Sequence, residues 1–147
     1  CIRDRSRSMA GMRIGYAMGN KRLIQAMTDV KESINSYTMT RESIVLGAAS
    51  LADEEYFQEK KQMVVATRER TKEELRRRGF EVLDSSANFL FAKPNSVDAG
   101  WLFEELKKEK IFVRHFNGER IKDYLRISIG TDQQMDCLLQ AIDRIMA

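Results

Sequence analysis

Arg126 lies at the centre of the stretch Tyr124-Leu125-Arg126-Ile127-Ser128-Ile129-Gly130-Thr131. Apolar and polar side chains alternate there, the pattern of a strand with one face in a core. Leu125, Ile127 and Ile129 fall on one side; Arg126 and Ser128 fall on the other. A guanidinium mounted in this way is held by a rigid strand, opposite the core, where its planar fork can meet an anion. Just upstream, Val113-Arg114-His115-Phe116 predicts a second strand with an arginine of its own. Two arginines on neighbouring strands make a fork for a carboxylate or a phosphate. The plain alternative is a pair of exposed strand arginines that contribute little.

Elements that position these residues must come from a chain of 147 residues, the size of one ordinary domain with its own core. An apolar content of 43% with 32% charged residues is that of a globular protein. A net charge of +3, spread along the chain, argues against a nucleic-acid or membrane partner. There is no apolar run of membrane-span length and no secretory signal. Cys1 and Cys137 form no metal-ligand spacing, so reduced thiols in a cytoplasm are expected. The chain begins with Cys rather than Met, which points to sequence further upstream.

Residues 1 to 9 are polar and basic and predict no packed element. Residues 10 to 19, with three glycines, predict a short strand between turns. No Lys-Ser/Thr pair follows those glycines, so this is not a phosphate loop of the usual kind. Asn20 caps a helix over residues 21 to 35 whose Leu23, Met27, Val30 and Ile34 form one apolar stripe. Thr40 caps a second helix, to Leu51 or Ala52. A third runs to Arg78, with Phe57, Val64, Thr71 and Leu75 on one side. Arg76-Arg77-Arg78 before Gly79 reads as cations at a helix C-terminus with glycine just beyond, in preference to a nucleic-acid patch.

Beyond Gly79 the pattern changes. Strands are predicted at 80 to 83 and 89 to 92. A helix capped by Asp98 follows, with Trp101, Leu102 and Leu106 inward. Strands at 111 to 116 and 124 to 129 flank the turn signal Asn117-Gly118. A last helix is opened by a Thr131/Gln134 capping box, with Met135, Leu138, Leu139, Ile142 and Met146 on one face. The order strand, strand, helix, strand, strand, helix predicts an α+β domain, a sheet with helices on one face. The eight methionines read as core filler.

Four motifs in order carry a resemblance over nearly the whole chain: Ser8-Met9-Ala10-Gly11-Met12-Arg13-Ile14-Gly15-Tyr16, Ala87-Asn88-Phe89, Val113-Arg114-His115-Phe116, and the stretch around Arg126. Together they resemble the C-terminal part of the histidinol-phosphate aminotransferase family, pyridoxal-phosphate enzymes of the aspartate-aminotransferase fold. The resemblance implies an α+β small C-terminal domain, mostly antiparallel, over residues 79 to 147. It implies linking helices over 36 to 78 and a stub of the large cofactor-binding domain over 1 to 35. It also implies a cytoplasmic homodimer that moves an amino group between histidinol phosphate and 2-oxoglutarate in histidine biosynthesis. By the same resemblance, Arg13 matches the arginine on the cofactor phosphate, and Ser6 lies in the adjoining phosphate-contacting segment. Arg126 matches the arginine on the substrate's anionic group, Arg114 the second arginine for the substrate phosphate, and Asn88 a residue near the substrate.

Two departures qualify the activity. The family's Schiff-base lysine lies six residues before Gly11 and eight before Arg13, and both counts land on Arg5. A guanidinium stays protonated and delocalised, so it cannot attach the cofactor or shuttle the proton that transamination needs. The ring-stacking aromatic, the acidic partner of the pyridine nitrogen and most phosphate ligands lie upstream in the family. The chain by itself is therefore expected to bind no pyridoxal phosphate and to be inactive. Phosphothreonine decarboxylases and aromatic aminotransferases of the same superfamily share these motifs, and a non-catalytic binding or assembly module is the alternative from another class.

Overall fold

Asn20 and Thr40 each open a helix, as their side chains predict. Asn20 accepts from the Arg22 N–H and begins α1 (Lys21–Ile34); Thr40 accepts from the Ser43 N–H and begins α2 (Arg41–Ala52). The structure, a computed structural model, describes residues 2, 3, 7 and 9 to 147. It divides into two compact units, residues 1 to 59 and 60 to 147.

In the first unit, β1 (Ile2–Arg3) pairs antiparallel with β2 (Gly15–Tyr16), Ile2 opposite Tyr16. Within residues 10 to 19 the short strand is β2, and a single 3-10 turn, Ala10–Met12, precedes it. Ser43, buried in α2, donates to the Met12 carbonyl (3.1 Å) and fastens that turn to the helix. The apolar stripe of α1 has the predicted spacing, yet Leu23, Met27, Val30 and Ile34 are all exposed. Periodicity specifies a face; a core requires a second surface to receive it.

Helix α3 (Glu54–Arg77) carries the chain into the second unit. There β3 (Phe80–Val82), β4 (Phe89–Pro94), β5 (Arg114–His115) and β6 (Leu125–Ser128) form one antiparallel sheet in the order β3-β4-β6-β5. Helices α4 (Ala99–Lys108) and α5 (Asp132–Met146) complete it. The predicted α+β arrangement, an antiparallel sheet whose core face is covered by helices, is what forms. Phe80, Val82, Leu90, Ala92, Leu125 and Ile127 of the sheet cluster with Leu75, Leu102, Leu106, Leu138 and Ile142 of the helices. Trp101 is the exception to the expected inward set, with 44% of its surface exposed. Leu102 and Leu106, four apart on α4, already fill the seam, and Trp101 falls to its side.

Charge pairs tie α3 to α5. Arg70 Nη1 lies 2.5 Å from Asp136 Oδ1, and Thr67 donates to Asp132 Oδ1 at 2.8 Å. Arg78 grips Asp143 with two parallel bonds, Nε–Oδ1 2.7 Å and Nη2–Oδ2 2.9 Å. The Arg78 hydrogen bonds hold the Asp143 carboxyl below its ordinary pKa, and Asp143 in turn raises Arg78. Arg76 and Arg77 pair with Glu73 and Glu74, and Gly79 takes a positive φ of 80°. The arginine run is a salt-bridged helix end closed by glycine, as expected.

At the start of α5, Thr131 Oγ1 accepts from Gln134 N–H while Gln134 Oε1 accepts from Thr131 N–H, a complete capping box. A Cβ on Gly130 would collide with Gln134 Oε1 and approach its Cβ to 3.2 Å. Gly130→Ala should therefore displace the Gln134 side chain and lose its bond from the Thr131 N–H, while Thr131 still caps the helix, lowering stability by about 1 kcal/mol, the net contribution of one hydrogen bond. A urea midpoint equal to that of the parent chain would contradict this.

Candidate functional site

The register of the sheet decides which side chains meet. Arg126 stands directly opposite Phe91 on β4 and directly opposite Arg114 on β5. Opposite residues of an antiparallel pair share a face, so Arg114, Arg126 and Phe91 form one row. Leu125 and Ile127, its chain neighbours, go to the core with 0% and 1% exposure. This row lies on the other face, as the alternation around Arg126 predicts.

Aromatic rings surround the arginine. Cζ of Arg126 lies over the rings of Phe89 and Phe116, 5.4 and 5.8 Å from their centroids. Phe116 in turn stacks on Phe91, with centroids 6.3 Å apart and planes 10° from parallel. Tyr124 sits 5.9 Å from Phe91 and donates its hydroxyl to Glu81 Oε1 at 2.9 Å. Holding its proton for that carboxylate, the Tyr124 hydroxyl titrates above its ordinary range.

Among the described residues the Arg126 side chain takes no hydrogen bond, and its buried Nε has no partner. A buried donor without an acceptor is costly, on the order of 1–3 kcal/mol. Arg114 opposite it adds a like charge across the strands, itself unfavourable. An anion held by the two guanidinium groups would offset the like-charge cost. Chemically, two guanidinium groups on one face can receive a carboxylate or a phosphate.

Other residues singled out in the sequence lie elsewhere. Asn88 ends the approach to β4; it is exposed, and its carbonyl accepts from Ile129 N–H at 2.9 Å, which locks it beside the end of β6. Arg13 belongs to the first unit. It is exposed and occupies the left-handed region at φ 58°, where it closes the 3-10 turn by donating its backbone N–H to the Ala10 carbonyl. Arg5 and Ser6 lie outside the described residues.

Sequence reasoning missed Arg7. Residues 1 to 9 predict nothing packed, yet the Arg7 side chain is only 11% exposed. It lies 4.3 Å from the Phe57 ring centroid. It donates to the carbonyls of Ser50 (2.5 Å) and Asp53 (3.3 Å) and to Glu54 Oε2 (2.7 Å). A run of alternating arginines and serines hides such a role, because nothing local tells which arginine meets a helix end.

Comparison with known proteins agrees with the fold and the motifs. The family model for aminotransferase class I and II matches residues 5–142. Histidinol-phosphate aminotransferase of Clostridium acetobutylicum is 46% identical over 144 residues, covering 98% of this chain and 41% of that protein. The crystal structure of histidinol-phosphate aminotransferase from Sinorhizobium meliloti in complex with pyridoxal-5'-phosphate superposes with a TM-score of 0.82 at 27% identity. It covers 97% of this chain and 39% of that one. Aspartate aminotransferase from Thermotoga maritima shares the fold, with a TM-score of 0.77 at 19% identity over 95% of this chain and 37% of that one. The chain thus spans about two fifths of the length of the curated relatives it matches. Matched along almost its whole length by one family model, the chain belongs to the aminotransferase class I and II family.

Proposed function

We propose that this chain is the substrate-anion-recognising portion of a histidinol-phosphate-aminotransferase-like protein. Arg126 and Arg114 bind the phosphate of an amino-group donor or the carboxylate of its partner substrate. The observation that carries the reading is the in-register pair itself: two like charges on one face, with the Arg126 Nε buried and unpaired. Asn88 is proposed to stand near the same substrate. The exposed α1 stripe supports a chain whose first unit belongs to a larger assembly, with a cytoplasmic homodimer as the expected form. No helix among the described residues is long and apolar enough to cross a membrane.

Pyridoxal phosphate, the group carried by the Sinorhizobium meliloti relative, supplies an electron sink for amino-group chemistry when bound. The donor set here does not fit its covalent attachment. Arg5 stands where the resemblance places the lysine, and a guanidinium is not an amine nucleophile. Exposed Arg13, whose Nη1 donates to the Ala10 carbonyl at 3.5 Å, leaves the rest of its fork open to a phosphate but supplies no amine for that attachment. We therefore assign this chain, by itself, anion recognition and no transamination step.

The test is a phosphate titration followed by the amide resonances of Arg114 and Arg126. Binding should be weak, with a Kd of about 1 mM, on the order of 4 kcal/mol at the standard state. Arg126→Ala should weaken it about tenfold, on the order of 1.4 kcal/mol. Arg114→Ala should cost less, since that residue lies on the two-residue edge strand. Shifts that cluster at Arg76 to Arg78, or that persist unchanged in both variants, would reject the site.

A further inference from the structure

We infer that Phe89 and Phe116 are positioning residues for Arg126, a pair of aromatic walls that hold its guanidinium ready for an in-plane oxyanion. The inference rests on the anion-site reading above and assigns to two uncharged residues a share of its affinity. A guanidinium can be oriented by an acidic side chain, but a carboxylate occupies the same edge N–H groups that an incoming anion needs. An aromatic ring attracts the cation through its face and accepts none of those edge donors strongly. Arg126 has the second kind of support: two rings within 6 Å of Cζ, and no hydrogen-bond partner among the described residues.

The support is itself anchored. Phe89 and Phe91 are residues of β4, fixed by ladder bonds to β6. Phe116 follows β5 outside any regular element, and its near-parallel stack on Phe91 is what holds it over the arginine. Removing the Phe116 ring should free the guanidinium to sample rotamers, whose entropy must then be lost on binding. Ring contacts of this kind correspond to about a two- to fivefold change in affinity.

The experiment uses the whole chain, with phosphate as probe, and follows the Arg126 Nε–Hε resonance together with the titration. In the parent chain that resonance should be displaced by the flanking rings and should move again on phosphate addition. Phe116→Leu, which keeps apolar bulk, should return the resonance toward its ordinary position and weaken phosphate binding about two- to fivefold. Phe116→Tyr, which keeps the ring, should restore both. Phe89→Leu should behave like Phe116→Leu. Unchanged affinity and resonance in Phe116→Leu, with phosphate still bound, would overturn the inference and leave the anion site standing. An Arg126 resonance that does not respond to phosphate in the parent chain would overturn both.

Discussion

Leu125→Ala should destabilise the 60–147 unit by about 3 kcal/mol, within the usual range for a buried leucine truncated to alanine. Leu125 has no exposed surface and sits in a central strand, between β4 and β5. Both flanking strands are fixed by their ladders, so the site can relax only partly around the lost side chain, and a cavity term adds to the lost transfer energy. Trp101, the only tryptophan in the chain, lies in the same unit and reports the transition. In urea the midpoint should fall by about 1–3 M at an unchanged slope. Leu83→Ala is the matching control: Leu83 is 45% exposed at the end of β3, and its loss should cost well under 1 kcal/mol. Equal midpoints for the two variants would mean that the sheet does not form the core described here. The neighbouring Arg126 points the other way, so its replacement is expected to change binding while leaving this core intact.

Arg7→Ala should loosen the first unit by about 2 kcal/mol, the scale of hydrogen bonds that involve a charged group. The described residues of that unit bury very little, so few other contacts share the load. Arg7 supplies donors to two carbonyls where α2 ends and α3 begins, at the negative end of the α2 dipole. Its guanidinium also covers Phe57 at 4.3 Å and pairs with Glu54. Truncation removes the Arg7 donors from both carbonyls, leaving the Asp53 carbonyl only the Phe57 N–H, and removes the Arg7 cation from the face of the Phe57 ring. Amide exchange should then accelerate at Gly15 and Tyr16 and at the Asp53 cap. Arg7→Lys should recover only part, because one ammonium cannot span two carbonyls and a carboxylate with the same geometry. Protection factors identical to those of the parent chain would show that the cap contributes nothing.

The sequence alone determined the elements whose signals are local. Asn20, Thr40, Asp98 and Thr131 each mark a helix start because a capping side chain acts within three residues of itself. The alternation around Arg126 was enough to place Leu125 and Ile127 inward and the arginine outward, since a strand has only two faces. Motif order was enough to indicate the family. Tertiary structure alone decided the rest, where the deciding partner is distant in the chain. Register set Arg114 opposite Arg126 rather than one residue off, and a one-residue slip would have sent it to the other face. The rings over Arg126 come from residues 89 and 116, which no spacing rule connects to residue 126. Arg7 became a helix cap only because the chain returns to residues 50 to 54. The stripe of α1 was legible as a pattern, but burial depends on a second surface, and none of the described residues of its own unit covers it.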